Sequence, residues 1–427
     1  MTALATSGRF DRAQMLRLAN WLAVAVAVAL PWSTSATSIC IVAWLLALLP
    51  ALNFAAVRRE IMTPAGGLPV LLWCLGALGM LWADVDWTAR FAGLGGFHRL
   101  LVIPVLLAQF RRSEHGDLVV LGYVVSSTAV LATSYLFTAA PELNWHSSVA
   151  GIAAHDDIFQ TSSFLICGFG LLGYAIIAAR QRRWRAATGC GALAVLFLAN
   201  FGVVVISRSA LVVAPVLALL LGWRLFRWRG LLAAVVAAAA VGAIFWVGSA
   251  SLRDRIAVSL VEMRDYRGSN AATSLGMHAA FLEESIGIIA AAPLIGHGTG
   301  SIAEQFRRIT AGHSGATGVA TVNPHNQTFA VAIQLGIGGA LVLWAMWIAH
   351  FLLFRGPGFA TWAGTAVVTE NIVSSVAHSH LFDFGHGWIY VFGVGVLGGM
   401  KLRERAGAGG SVDDGAVADK ASPADTR

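Results

Sequence analysis

Residues 327–353 read QTFAVAIQLGIGGALVLWAMWIAHFLL, 27 residues without an Asp, Glu, Lys or Arg. Coiled as an α-helix this run is about 40 Å long, more than the ~30 Å of hydrocarbon in a bilayer. In lipid a chain must satisfy its own backbone polar groups, and a helix does so within one segment. The run therefore reads as a transmembrane helix.

The same pattern extends toward both ends of the chain. Of the 427 residues, 57% are hydrophobic and 12% charged, with a mean hydropathy of +0.72, whereas soluble domains carry about 25% charged residues. Apolar runs fall at roughly 18–34, 37–56, 67–83, 98–110, 117–138, 160–179, 186–206, 209–223, 230–249, 327–353, 359–377 and 387–400. The expected fold is an all-α membrane protein of about twelve transmembrane helices. Cys40, Cys74, Cys167 and Cys190 each lie inside an apolar run and lack CxxC spacing, so neither disulfides nor a cysteine metal site is expected.

A formal charge of +7 could in principle attract nucleic acid, but the basic residues are scattered in short clusters between spans. They read as topology signals instead. With both termini in the cytoplasm, the inward segments hold 20 of the 29 lysines and arginines, as cytoplasmic loops should. Arg9, Arg12 and Arg17 precede the first apolar run in the manner of a signal peptide, yet no small-residue cleavage site follows Pro31, and a retained helix is expected. The chain thus divides into nine helices (1–249), a large outward loop (250–326), three more helices (327–401) and a disordered cytoplasmic tail rich in Ala, Gly and Asp (402–427).

The outward loop is expected to be partly helical. Between Thr273 and Ala292 the residues Met277, Phe281, Ile286 and Ile289 recur at helical spacing, flanked by Glu283 and Glu284, before Pro293 and Gly296 end the pattern. The Gly-, Ser- and Thr-rich stretch from Gly298 to Val322 reads as a loop able to move over a site.

Chemistry-bearing residues gather on the outward side. Nine arginines run against the positive-inside bias there, among them Arg90, Arg99, Arg208, Arg264 and Arg267. Arg208 is the most informative, because Ser207-Arg208-Ser209 alone separates two apolar runs. A guanidinium forks onto phosphate oxygens and keeps its charge when partly desolvated, which suits a lipid diphosphate. The structural alternative is interfacial snorkelling in a chain with 27 arginines and two lysines. Of twelve histidines only His115 and His350 fall inward. His378, His380, Asp383 and His386 match no standard zinc spacing, and no metal is expected.

At the head of the tenth span stands His325-Asn326, followed by nine residues and then Gly336-Ile337-Gly338-Gly339. This resembles the His-(Asn/Ser/Gln)-x9-Gly-x-x-Gly pattern of the O-antigen ligases, with His325, Asn326, Gly336 and Gly339 at the defining positions. Ser274-Leu275-Gly276-Met277-His278, the run from Pro293 to Gly300 and the Ser207-Arg208-Ser209 turn are similar to that family as well, as is the twelve-span layout. His278 departs from it, standing where members often carry arginine; a protonated imidazole, Arg264 or Arg267 could supply that charge.

The resemblance implies a fold of the GT-C type of lipid-dependent glycosyltransferases, in the bacterial inner membrane. It implies transfer of an O-antigen glycan from undecaprenyl diphosphate to lipid A-core oligosaccharide on the periplasmic face, without a metal or other cofactor and with inversion at the anomeric carbon. His325 would be the general base, Arg208 the principal catalytic cation, and Arg90, Arg99, Arg264, Arg267 and His278 diphosphate contacts. A purely structural His325, capping the helix with Pro324 and Asn326, is the alternative for that residue. An O-antigen polymerase or a lipid-linked sugar transporter are the alternatives for the whole chain.

Overall fold

A computed structural model describes residues 11–145, 147, 149–203, 208–248 and 250–407. Their regular secondary structure is entirely helical: α1 (Arg12–Ala29), α2 (Thr34–Leu48), α3 (Phe54–Ile61), α4 (Pro64–Gly79), α5 (Trp87–His98), α6 (Val102–Phe110), α7 (Gly116–Ala139), α8 (Asp157–Arg180), α9 (Trp184–Val203), α10 (Arg208–Gly248), α11 (Ala250–Ser269), α12 (Ser274–Ala291), α13 (Ile302–Ile309), α14 (Gln327–Leu353), α15 (Phe359–Ser374) and α16 (Phe384–Phe392). Helix starts follow from local chemistry. Ser33, Asn53, Thr63, Asp86, Asp156, Thr273 and Asn326 each accept a first-turn backbone N–H through the side chain.

Among the described residues seven helices are long and apolar enough to cross a membrane, and α3 with α4, bent by 86° across a short break, make an eighth. The stretch read as a span over 37–56 ends early as a helix: α2 stops at Leu48, a short 3₁₀ turn carries Pro50, and α3 begins anew at Phe54 with Arg58 and Arg59 in its last turn. α15 has 16 residues and α16 has nine before a π-helical turn at Gly393–Leu397. α10 is continuous in name only. Phe226 and Arg227 leave helical geometry, and a Cβ on Gly222 would lie 2.3 Å from the carbonyl oxygen of Gly230. Residues eight apart in a straight helix are about 12 Å apart, so the chain doubles back here into a helical hairpin, as the charged stretch from Arg224 to Arg229 had indicated.

The core lies between α8, α14, α15 and the helices around them. α15 is buried along nearly its whole length, and its Trp362 donates to the carbonyl of Phe169 at 2.7 Å, satisfying the indole N–H that burial would otherwise strand. An apolar cavity of about 100 Å³ lies between α1, α7, α8, α15 and α16, bordered by Ala27, Tyr123, Cys167, Ala363 and Phe392. No residue assigned to the chemistry lines it. All four cysteines are free.

The segment between α10 and α14, expected to be a partly helical loop, does contain helices. α12 occupies the stretch read as amphipathic, and Met277, Phe281 and Ile289 of that reading pack inward; Ile286 does not, being 59% exposed, and Glu284, Ser285 and Ile288 are buried in addition. Phe281 and Ile288 pack with Phe306 of α13 and with Ala330 and Ile333 of α14. Glu283 and Glu284 sit side by side in the middle of the helix, so spacing alone did not say which of the two faces inward.

The segment after α12 is bolted down where a mobile loop was expected to begin. α14 breaks at Gly336 (φ 66°, ψ −166°), which deprives nearby backbone groups of their intrahelical partners. The loop supplies them: His297 N–H donates to Ile333 O (2.8 Å), Gly298 N–H to Gln334 O (2.9 Å), and Ile337 N–H to Pro293 O (2.8 Å). Thr299 extends the seam to α4, donating its N–H to Gly79 O (3.0 Å) and its hydroxyl to Gly76 O (2.6 Å). A Cβ on Gly336 would fall 2.3 Å from Leu294 O, and the dihedrals themselves belong to a region essentially reserved for glycine. Gly336→Ala is therefore expected to destabilise the protein by at least ~1–3 kcal/mol, read as a lowered unfolding midpoint in detergent; an unchanged midpoint would show that the break tolerates a side chain.

Candidate active site

His325 reaches its position through the loop before α14. With Pro324 preceding it, His325 adopts φ 53°, and its N–H donates to Asn323 Oδ1 at 2.9 Å. The same oxygen accepts from Ser379 Oγ at 2.7 Å. Asn326 caps α14 by accepting from Phe329 N–H at 3.0 Å and donates through Nδ2 to Val376 O at 3.1 Å. Gln327 then donates its N–H to Ser375 O (2.9 Å) and accepts from Leu381 N–H (2.9 Å). These bonds lace the start of α14 to the segment after α15, and thereby bring His325 beside His378. Asn326, not His325, does the capping.

Three imidazoles meet there. His278, in the first turn and a half of α12, lies 4.3 Å from His325 between ring centroids; His378 is 5.9 Å from His325 and 6.3 Å from His278. Phe281 stacks on His325 at 5.9 Å and 10°, and its own ring is anchored in the α12–α13–α14 core. Behind His378 the cluster continues to His380 at 5.2 Å and from there to His386 at 3.8 Å.

The electrostatics disfavour the charged forms of His325, His378 and His380. Burial, reinforced by the neighbouring His278 and His378 and opposed by Asp383, holds the His325 imidazole down to about 4. Burial also lowers His378, against the pull of Asp383, Asp157 and Asp156, and takes His380 down to about 3. His325 Nδ1 is buried without a hydrogen-bond partner among the described residues. A neutral imidazole with an unengaged nitrogen can accept a proton from a hydroxyl, whereas an imidazolium cannot.

Of the sequence-predicted residues His325 and His278 meet here, whereas the arginines with described side chains make other contacts. Arg90 donates to Val85 O (2.9 Å) and Met80 O (2.8 Å) and lies 4.7 Å over the Trp87 ring. Arg99 holds the carbonyls of Phe382, Asp383 and Phe384 at the start of α16, so its guanidinium reaches the histidine loop from behind. Arg264 and Arg267 are exposed on α11, which packs against α12. The backbone of Arg208 opens α10; its side chain and Ser207 lie outside the described residues. Gly336 forms the helix break, and a Cβ on Gly339 would press within 2.4 Å of Leu335.

Two features lay beyond the sequence reading. Glu284 is buried with neither carboxylate oxygen hydrogen-bonded among the described residues, and burial next to Glu283 pushes it up to about 7. The bracing role of Asn323, Gln327 and Ser379 was also missed, although the Asn-Pro-His sequence is itself a turn signal. For a cation, His380, Asp383 and His386 place one possible ligand atom each within 4.8 Å of one another.

None of the curated proteins matches the chain. Residues 193–344, about a third of the chain, run from α9 through α11, α12 and α13 to the middle of α14 and include His278, His325, Asn326, Gly336 and Gly339; they match the family model described as O-antigen ligase, which supports an O-antigen ligase family assignment.

Proposed function

We propose that the protein is an O-antigen ligase that moves a glycan from undecaprenyl diphosphate to lipid A-core oligosaccharide at the periplasmic face of the bacterial inner membrane. The observation that carries this reading is the neutral, partly buried His325, at the position of the family's histidine, beside His278 and His378. In the proposed topology α1, α2, α3 with α4, α5 with α6, α7, α8, α9, the two arms of α10, α14, α15 and α16 make twelve crossings. Both termini lie in the cytoplasm, and α11 to α13 lie on the outside.

The chemistry follows from charge. An acceptor hydroxyl loses its proton to the His325 imidazole as its oxygen bonds to the anomeric carbon, and the bond from that carbon to the diphosphate oxygen breaks with inversion. The diphosphate leaves with the bonding electron pair. Arg208, aided by those of Arg90, Arg99, Arg264 and Arg267 that reach the phosphates, stabilises that growing negative charge. Preorganised donors in a water-poor site act more strongly on the transition state than on the ground state. His278 borders the base and tunes it. No metal is needed for the step as written.

An O-antigen polymerase would share the donor and the same arrangement; the nine-residue spacer between Asn326 and Gly336 favours the ligase.

Three outcomes are expected. His325→Ala should lower the transfer rate by about 10²–10⁴ while leaving donor binding and the unfolding midpoint close to wild type; wild-type-like transfer would remove it as the base. Because the folded site disfavours the imidazolium, kcat/KM for transfer should hold steady as pH falls from 8 through 6 and decline only toward pH 4; an acid limb centred at 6.5 or above would contradict this. Arg208→Lys keeps the charge but loses the fork, and should weaken donor use less than Arg208→Ala, for which a loss of about 10²–10³ is expected; a fully active Arg208→Ala would take that residue out of the site.

A further inference from the structure

Behind His378, where none of the steps above acts, two imidazoles are packed in an unusual way. The His380 and His386 rings are 3.8 Å apart and 0% and 6% exposed. Both nitrogens of His380 and Nε2 of His386 lack hydrogen-bond partners among the described residues. A buried polar atom left unpaired costs about 1–3 kcal/mol, so three such nitrogens on two touching rings call for a common partner.

Asp383 completes the group. It is the N-cap residue of α16, yet its side chain makes no cap bond to the helix; one carboxylate oxygen instead faces His380 Nδ1 at 3.6 Å. Ligand atoms on a tetrahedral zinc ion with bonds of ~2.1 Å are about 3.4 Å apart. The three ligand atoms lie within 4.8 Å of one another, close enough to converge by small side-chain adjustments.

The surrounding charge permits a cation. Arg99 opposes one, but it is engaged with the backbone carbonyls of Phe382, Asp383 and Phe384. On the other side Asp156 and Asp157, at the start of α8, act together with Asp383 on His378, and Asp156 lies 3.2 Å from His155. His378 lies 5.2 Å from His380 between ring centroids.

We infer that His380, Asp383 and His386 form a site for a divalent cation of the zinc class, bound through two imidazoles and one carboxylate. Such a ligand set suits zinc, with its tolerance of mixed nitrogen and oxygen donors. The ion is structural: it fastens the segment between α15 and α16 that carries His378, and does not touch the transferred glycan. This assignment stands independently of the proposed glycosyl transfer.

The test is metal uptake by the full-length protein, purified in detergent with an affinity tag that contains no histidine. Zinc is counted by mass spectrometry, and Co²⁺ is then added as a spectroscopic substitute. About one ion per chain is expected in a four- or five-coordinate environment, with His380→Ala weakening Co²⁺ binding by at least roughly tenfold and the exposed His313→Ala leaving it unchanged. His386→Cys retains a ligand and should add a thiolate-to-cobalt charge-transfer band, a positive signal that does not depend on how the alanine variant folds. Failure of the wild-type protein to take up either ion stoichiometrically, or uptake indifferent to both His380→Ala and His386→Cys, would overturn the assignment.

Discussion

The structure depends on a helix that is broken inside a bundle and repaired by another part of the chain. Where α14 stops at Gly336, Ile333 and Gln334 present carbonyls and Ile337 an N–H that the helix no longer satisfies, and the segment from Pro293 to Gly298 answers all three. Away from water each such group would cost several kcal/mol if left alone. The break and the loop are thus obligatory partners. Because Thr299 also bonds to α4, the segment between α12 and α13 is fixed to the bundle at two places, and α12 and α13 inherit their orientation from it.

That orientation makes the histidine cluster. α12 brings His278 and Phe281, the head of α14 brings His325, and the segment after α15 brings His378, with Asn323, Asn326 and Gln327 tying the last two together. Burial, reinforced at His325 by its neighbouring imidazoles, then disfavours the charged forms of His325 and His378. The same packing that brings the rings together also keeps the His325 imidazole neutral, so the electrostatic and architectural roles of the cluster cannot be separated by looking at one residue.

Much of this could be read from the sequence, for identifiable reasons. Charge-free runs and arginine-rich connections report on the solvent each segment meets, which is why the helical membrane architecture and the turn between the arms of α10 were legible. His325, Asn326 and Gly336 were singled out by resemblance to a family motif whose positions lie close together in the sequence. Other features arise only from contacts between distant segments. Nothing local says that Arg90 and Arg99 bond to carbonyls, that Ile286 faces outward while Glu284 is buried, or that Asp383 forgoes its helix cap. The start of the stretch from Gly298 to Val322 misled in an instructive way: Gly298 and Gly300 adopt positive φ where backbones come into direct contact.

The central claim is that this arrangement transfers a finished glycan once, from a polyprenyl diphosphate to a lipid acceptor. The most direct measurement is to reconstitute the purified protein with undecaprenyl-diphosphate-linked glycan and lipid A-core, and to follow the glycan by gel and mass spectrometry. The account predicts a single glycan joined to lipid A-core with release of undecaprenyl diphosphate. Glycan lengthened on the polyprenyl carrier would contradict it in favour of polymerisation, and glycan moved across the bilayer with no new glycosidic bond would contradict it altogether.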